Sequence, residues 1–227
     1  ANLLMIAACC ACVGIVIGVV TMTGFGFSFV NLMGSLAQVH IGIFLLVLAG
    51  TCVIFGMGLP SLPAYILVAT FGAPALVQAG VPVLAAHLFV MYFAISSGIT
   101  PPVCLVAYAG AAIADAPPMK TGFTAFKLGI AAFIVPFIFI FEPALLLMGD
   151  WPTILQAVFT AVLGVVCLAS SMQGWLFTES SPAERVMMFV AGIVLVYPGL
   201  LTDLIGFGTA SLVFFIQIAR KKRLCAA

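Results

Sequence analysis

Two stretches of this chain set small hydroxyl residues beside helix breakers inside strongly apolar sequence: Gly56-Met57-Gly58-Leu59-Pro60-Ser61-Leu62-Pro63 and Ser96-Ser97-Gly98-Ile99-Thr100-Pro101-Pro102. The chemistry open to them is the coordination of ions by neutral oxygen. Gly56 and Gly58 allow positive backbone angles and close approach, and Pro60 and Pro63 end one helix and restart another where a missing N–H does no harm. Carbonyls freed at a helix C-terminal end carry partial negative charge, and the next N-terminus carries partial positive charge. One break can therefore face a cation with one side and an anion with the other. Na⁺ is a hard ion that prefers oxygen. By analogy with other hard cations, the hydroxyls of Ser61, Ser96, Ser97 and Thr100, with carbonyls of Gly58 and Gly98, form a reasonable ligand set. An anionic solute would face the helix N-termini expected after Pro60 and Pro101. Two plainer readings compete: both breaks are loops outside the bilayer, or the hydroxyls only bond the preceding turn.

The elements that must position these residues are membrane helices. Hydrophobic residues make up 65% of the chain and charged residues 6%, and the mean hydropathy is +1.39. A soluble domain carries about a quarter charged residues, so the fold class is an all-α polytopic membrane protein. In hydrocarbon each unpaired backbone polar group costs several kcal/mol, so broken helix is tolerated at membrane depth only where protein buries it or it lines a wet cavity. A spanning helix needs about 20 apolar residues. Leu3 to Met22 meets that length, and Thr23 to His40, with Asn31 and Gln38, reads as interfacial. Gly42 to Phe55 and Ala64 to Gln78 are too short to cross and predict a re-entrant hairpin with the first break at its tip. Val81 to Ile95 and Val103 to Ala114 predict one discontinuous helix interrupted by the second break. Phe123 to Met148 and Ile154 to Met172 span, with Gln173 to Arg185 as a polar loop after them. Val186 to Leu201 and Leu204 to Ala219 read as two tight spans, with one kinked helix as the rival. The division expected is residues 1–149 and an appended segment, 150–227.

Charge placement orients this array. Arg220, Lys221, Lys222 and Arg223 close the last apolar run, and the positive-inside rule puts them in the cytoplasm. Counting back places every Lys and Arg on that side, puts Asp150-Trp151 outside, and opens the hairpin from the extracytoplasmic face with Asn2 near the cytoplasm. No secretory signal is read in the first apolar run, which lacks a basic start and a small-residue cleavage site. A chain cut from a longer polytopic protein is one expectation.

With these residues on the page, the sequence resembles the large permease of TRAP transporters, the tripartite ATP-independent periplasmic uptake systems, especially fused permeases that work with TAXI-type binding proteins. The resemblance rests on Gly56-Met57-Gly58-Leu59-Pro60 with Pro63-Ala64-Tyr65, Ala85-Ala86-His87-Leu88-Phe89, Ile99-Thr100-Pro101-Pro102-Val103, Lys120-Thr121-Gly122 and Val135-Pro136-Phe137. Gly18-Val19-Val20-Thr21 and Thr23-Gly24 extend it. It covers roughly residues 5 to 148. It implies an ion-transporter-type repeat holding one hairpin and one broken helix, here the C-terminal repeat, in the inner membrane with a cytoplasmic C-terminus. It implies Na⁺ as coupling ion, with Gly56, Gly58, Ser61, Ser97, Gly98 and Thr100 as the metal set and Ser61, Pro63, Pro101 and Pro102 on the substrate side. The partners implied are a periplasmic solute-binding protein, an N-terminal repeat and a small membrane subunit or fused equivalent, and the lipid bilayer, with no nucleic acid. One departure matters: the family usually has Thr-Thr after the proline, whereas this chain has Ser61-Leu62.

The function expected is Na⁺-coupled uptake of a small organic anion, a carboxylate first, by alternating access. A membrane assembly subunit or channel-like protein without its own coupling site is the alternative. An intramembrane enzyme lacks chemistry: there is no His-Glu-x-x-His, no paired aspartate motif and no Gly-x-x-x-x-Gly-Lys loop, and the chain has only two His. Cys9, Cys10, Cys12, Cys52, Cys104, Cys167 and Cys225 lack ligand spacing and read as small buried hydrophobes. His87, inside an apolar helix, is read as bonded to a neighbouring helix, although such groups are functional candidates by default. Glu142 reads as interfacial, Asp115 as a cap at a turn and Asp203 as a loop residue. Trp151, Trp175 and Tyr197 suit interfaces, and Phe133 to Phe141 reads as lipid-facing or packing surface.

Overall fold

A single left-handed glycine sets the first turn of the architecture: Gly24, at φ 69°, bends the chain by 71° between helices. The computed structural model describes residues 2–196 and 200–226. Its contacts divide the chain into two units, Ala1–Ile140 and Phe141–Ala227. The described residues form helices and connecting turns, with no strand element among them.

In the first unit, α1 (Asn2–Met22) is followed by α2 (Phe25–Val39), so the stretch read as interfacial is itself helical. His40 alone separates α2 from α3 (Ile41–Gly56), and its Nδ1 accepts the Gly42 N–H at 3.2 Å, capping the new helix. The hairpin closes with α4 (Ser61–Gln78). Here the structure corrects the length argument: α4 starts at Ser61 rather than Ala64, and its 18 residues are long and apolar enough to cross a membrane. Pro63 sits in the first turn, where its missing N–H would have no intrahelical partner, so it does not delay the start. The discontinuous helix is α5 (Val83–Ser96), a 3₁₀ turn at Ser97–Ile99, and α6 (Leu105–Ile113).

The following span also starts earlier than expected. α7 (Pro118–Leu128) and α8 (Ile130–Phe141) form one membrane-length run of 24 residues, with Pro118 at the first helical position. It stops at Phe141 instead of Met148, and residues 143–146 form a separate 3₁₀ turn. The residue before a proline is pushed out of the helical region, and Glu142 precedes Pro143.

The core of this unit is the stack of α3, α4 and α5. Phe44, Leu48 and Cys52 of α3, Val68 and Leu76 of α4 and Phe89 and Val90 of α5 are all at 0% exposure. Gly72 brings α4 close to α5: a Cβ there would lie 3.1 Å from Val90 Cγ2. The Phe-rich run packs rather than only facing lipid. Phe137 meets Phe89 and Phe93 edge-on at 5.4 and 5.5 Å between ring centroids, and Phe139 meets Tyr92 at 5.4 Å.

The second unit holds α9 (Trp151–Gln173), α10 (Pro182–Val196) and α11 (Leu200–Ala226). Ser181 and Glu184 start α10 with a reciprocal cap: the Ser181 N–H donates to Glu184 Oε2 at 3.0 Å and the Glu184 N–H donates to Ser181 Oγ at 3.3 Å. The polar loop therefore ends at Ser181, and Glu184 and Arg185 belong to the helix. Arg185 turns back to donate to the Ser171 and Met172 carbonyls, which lie in the last turn of α9. α10 and α11 pair antiparallel, with Glu184 beside Gln217 and Arg220 at one end and Leu195 against Gly206 nearer the other. Two helices, not one kinked helix, form this end. Asp203 is corrected from loop to the first turn of α11, where it is 7% exposed and accepts Gln156 Nε2–H at 2.7 Å. Trp151 and Trp175 are exposed. Tyr197, Pro198 and Gly199 lie outside the described residues.

Candidate functional site

The first break is short and tightly wound. Gly56 is the last residue of α3, and the Met57 N–H donates to the Val53 carbonyl at 3.0 Å, so the helix closes normally up to the tip. Gly58 then takes φ 80°, the left-handed region that glycine enters without steric cost. The Leu59 N–H returns to the Gly56 carbonyl at 3.3 Å, and the Ala64 N–H to the Pro60 carbonyl at 3.0 Å starts α4. Three residues, Met57 to Leu59, thus carry the turn, with Pro60 as the cap.

The second break is longer. The Thr100 N–H still reaches the Ser97 carbonyl at 3.1 Å, but Pro101 and Pro102 bring no N–H, and the bond Pro101–Pro102 is cis. α6 therefore starts at Leu105, not directly after Pro101 as expected. Two successive prolines cannot donate, and each disfavours the helical region for the residue before it. The loop is held by groups not singled out in the sequence. The Tyr108 hydroxyl donates to the Pro102 carbonyl at 2.5 Å. A Cβ on Gly122 would fall 2.5 Å from Cys104 Sγ, and one on Gly129 would collide with Ile99 Cδ1. Gly122 stands in a quoted motif, but glycine spacing alone names no partner across a fold.

The two breaks meet. A Cβ built on Gly56 would lie 2.7 Å from Ser97 Oγ and 3.1 Å from the Ala94 carbonyl oxygen, so only glycine lets the end of α3 rest on the end of α5. Gly58 approaches Val103 on the far side of the second break, 3.8 Å from Cγ1 to a Cβ position. Gly98 faces Val106, with 3.0 Å on the same measure. Tyr65 Oη and Nδ1 of His87 are 2.9 Å apart and tie the outgoing hairpin arm to the first half of the broken helix, which places His87 as a cross-brace.

The expected metal set is only partly gathered. Gly56 and Ser97 touch, and Gly98 and Thr100 flank Ser97. The Ser97 hydroxyl donates to the Ala94 carbonyl at 2.6 Å, and the Thr100 hydroxyl to the Ser96 carbonyl at 2.8 Å. Each spends its hydrogen on the preceding turn and keeps lone pairs for another partner. Thr100 also borders a groove of about 400 Å³ together with Ala49 and Val53 of α3, Phe93 of α5, and Phe133 and Phe137 of α8. Ser61 is exposed at the start of α4, and no hydrogen bond joins its side chain to the second break among the described residues. The expected substrate set is dispersed in character. Ser61 and Pro102 are exposed, Pro101 is half-buried, and Pro63 is fully buried.

The donor chemistry fits a hard monovalent cation better than a transition metal, because every oxygen at the two breaks is neutral hydroxyl or carbonyl. Among the described residues no group of three His, Cys, Asp or Glu side chains comes together to hold a metal ion.

The sequence model of the family described as tripartite ATP-independent periplasmic transporter, DctM component, matches residues 2–154. No curated protein and no solved structure matches the chain.

Proposed function

We propose, from the premise that this chain belongs to the DctM component family of tripartite ATP-independent periplasmic transporters, that it carries a cation-coupling site built where the hairpin tip meets the broken helix. The coupling ion is Na⁺ and the solute a small organic anion, a carboxylate first. The contact of Gly56 with Ser97 carries this reading, since it brings two ends of interrupted main chain together within one packed unit. Ser97 and Thr100 would hold the cation through hydroxyl lone pairs, with carbonyls of Gly56, Gly58 and Gly98 as further oxygens. Ser61 would face the solute beside the N-terminus of α4, where partial positive charge favours an anion. Leu62 brings no hydroxyl, which leaves the hairpin tip one oxygen poorer than the pattern it resembles.

Motion follows from the bracing. The Tyr65–His87 bond and the Gly72–Val90 approach join the hairpin to the broken helix, so the two would move as one body in alternating access. A tripartite system has further components. A periplasmic solute-binding protein, an N-terminal repeat and a small membrane subunit, or the fused TAXI-type equivalent, complete the proposal. It places the assembly in the inner membrane with the C-terminal basic end in the cytoplasm. Uptake into proteoliposomes holding the assembled permease tests it. Solute accumulation rises with an inward Na⁺ gradient under this reading, and equal rates with and without the gradient would refute the coupling.

A further inference from the structure

The second unit has an apolar cleft that the transport reading does not use. It has a volume of about 510 Å³ and lies between Val166 and Cys167 of α9, Met188 of α10, and Phe207 and Ser211 of α11, with Phe177 from the α9–α10 loop at one end. α9 and residues 202–221 of α11 are long and apolar enough to cross a membrane, so an open cleft between them meets lipid. A cation stands at the Phe177 end. Lys221 is exposed and its Nζ lies 5.7 Å from the Phe177 ring centroid. Its neighbour Arg220 is already committed to the Glu184 carboxylate and the Glu179 carbonyl, whereas Lys221 makes no ion pair among the described residues.

We propose that this cleft binds an anionic phospholipid, one acyl chain lying along α11 and the phosphate resting against Lys221. An apolar slot with a cation beside the ring at one end matches an amphiphile with an anionic head. From Phe207 to Phe177's neighbour Phe214 the slot follows seven residues, about 10 Å of helix. Its narrow apolar run along one helix face, with a single ammonium beside it, suits one acyl chain with an anionic head. Phosphate needs no fork-shaped donor, and a lysine ammonium serves as a point charge.

The test uses the chain with Trp151→Phe, which leaves Trp175, two residues before Phe177, as sole tryptophan. It is reconstituted with phosphatidylcholine containing increasing fractions of brominated phosphatidylglycerol or brominated phosphatidylcholine. Half-maximal quenching is expected at a roughly fivefold lower fraction of the glycerol lipid, the ratio one lysine supplies near a membrane surface. Lys221→Gln, an exposed change that leaves the fold intact, removes the preference. Ser211→Leu fills the cleft and weakens quenching by both lipids. Equal quenching by the two lipids, a preference that survives Lys221→Gln, or quenching unaltered by Ser211→Leu would overturn the site. So would a disulfide-linked dimer through Ser211→Cys, which would give the cleft to a second copy instead.

Discussion

Gly56 and Gly58 have different physical roles two residues apart. At Gly56 the constraint is space: an alanine Cβ would press on Ser97 Oγ at 2.7 Å and on a backbone carbonyl at 3.1 Å, and the backbone cannot swing aside. At Gly58 the constraint is conformation, since φ is 80° and the nearest atom to a Cβ is an ordinary 3.8 Å away. Gly56→Ala is therefore expected to separate the tip from the break and cost about 1–3 kcal/mol of thermal stability through overpacking. Gly58→Ala should cost about 1–2 kcal/mol through left-handed strain, with Gly58→Asn milder because asparagine tolerates that region better. Thermal unfolding in detergent checks both. If Asn and Ala were equally costly at position 58, the conformational account would be wrong. Both breaks were legible in the sequence because Gly and Pro act locally. The partner of Gly56, Ser97, was not, because nothing in a glycine's neighbours says which side chain will rest on it 41 residues later.

Helix ends show how local rules and packing divide the work. The hairpin and the discontinuous helix are legible from their breakers, and α3, α4, α5 and α6 occupy those places, whereas length underrates α4, which is long enough to cross a membrane. The misses were starts and stops. Ser181-Pro182-x-Glu184 is a sequence-level start signal, yet charge density there favoured a loop. Asp203 reads as a loop residue because it lies between two short apolar runs, whereas it belongs to the first turn of α11 and pairs with Gln156 there. Glu184 offers a test at this scale. Burial opposes its ionisation, but the Ser181 amide, Gln217 and Arg220 outweigh that and hold its carboxyl below the usual 4.5. A group with a lowered folded pKa stabilises fully above its unfolded value and loses that contribution as pH falls through the folded one. Glu184→Gln still offers an acceptor to the Ser181 amide but removes the carboxylate charge, so it should cost about 1 kcal/mol at pH 7, the difference between charge-assisted and neutral hydrogen bonds, with the Arg220 pair adding little because Arg220 is partly exposed. Melting curves of the two proteins should converge as pH drops below 4.5, and a gap unchanged by acid would contradict the assignment.

At the scale of the molecule, composition dictates a membrane protein and apolar runs of about 20 residues dictate a helical one, because backbone groups in hydrocarbon must be paired within the protein. The family match over residues 2–154 and the tight seating of the hairpin tip on the broken helix point the same way. Which of the hydroxyls lie together is not legible in the sequence: Ser61, Ser97 and Thr100 are chemically alike there, but Ser97 rests against Gly56 with Thr100 three residues on, and those two are the hydroxyls of the proposed cation site. A ligand that binds the folded state stabilises it by mass action, by about 2.7 kcal/mol at a hundredfold excess over Kd. The most direct measurement is the thermal stability of the purified chain titrated with NaCl against KCl at constant ionic strength, in the parent and in Ser97→Ala/Thr100→Ala. The account predicts a saturable rise with Na⁺ of a few degrees, at about 2–4 °C per kcal/mol, absent with K⁺ and lost in the double variant. Identical curves in the two salts, or a Na⁺ effect that persists without both hydroxyls, would contradict it.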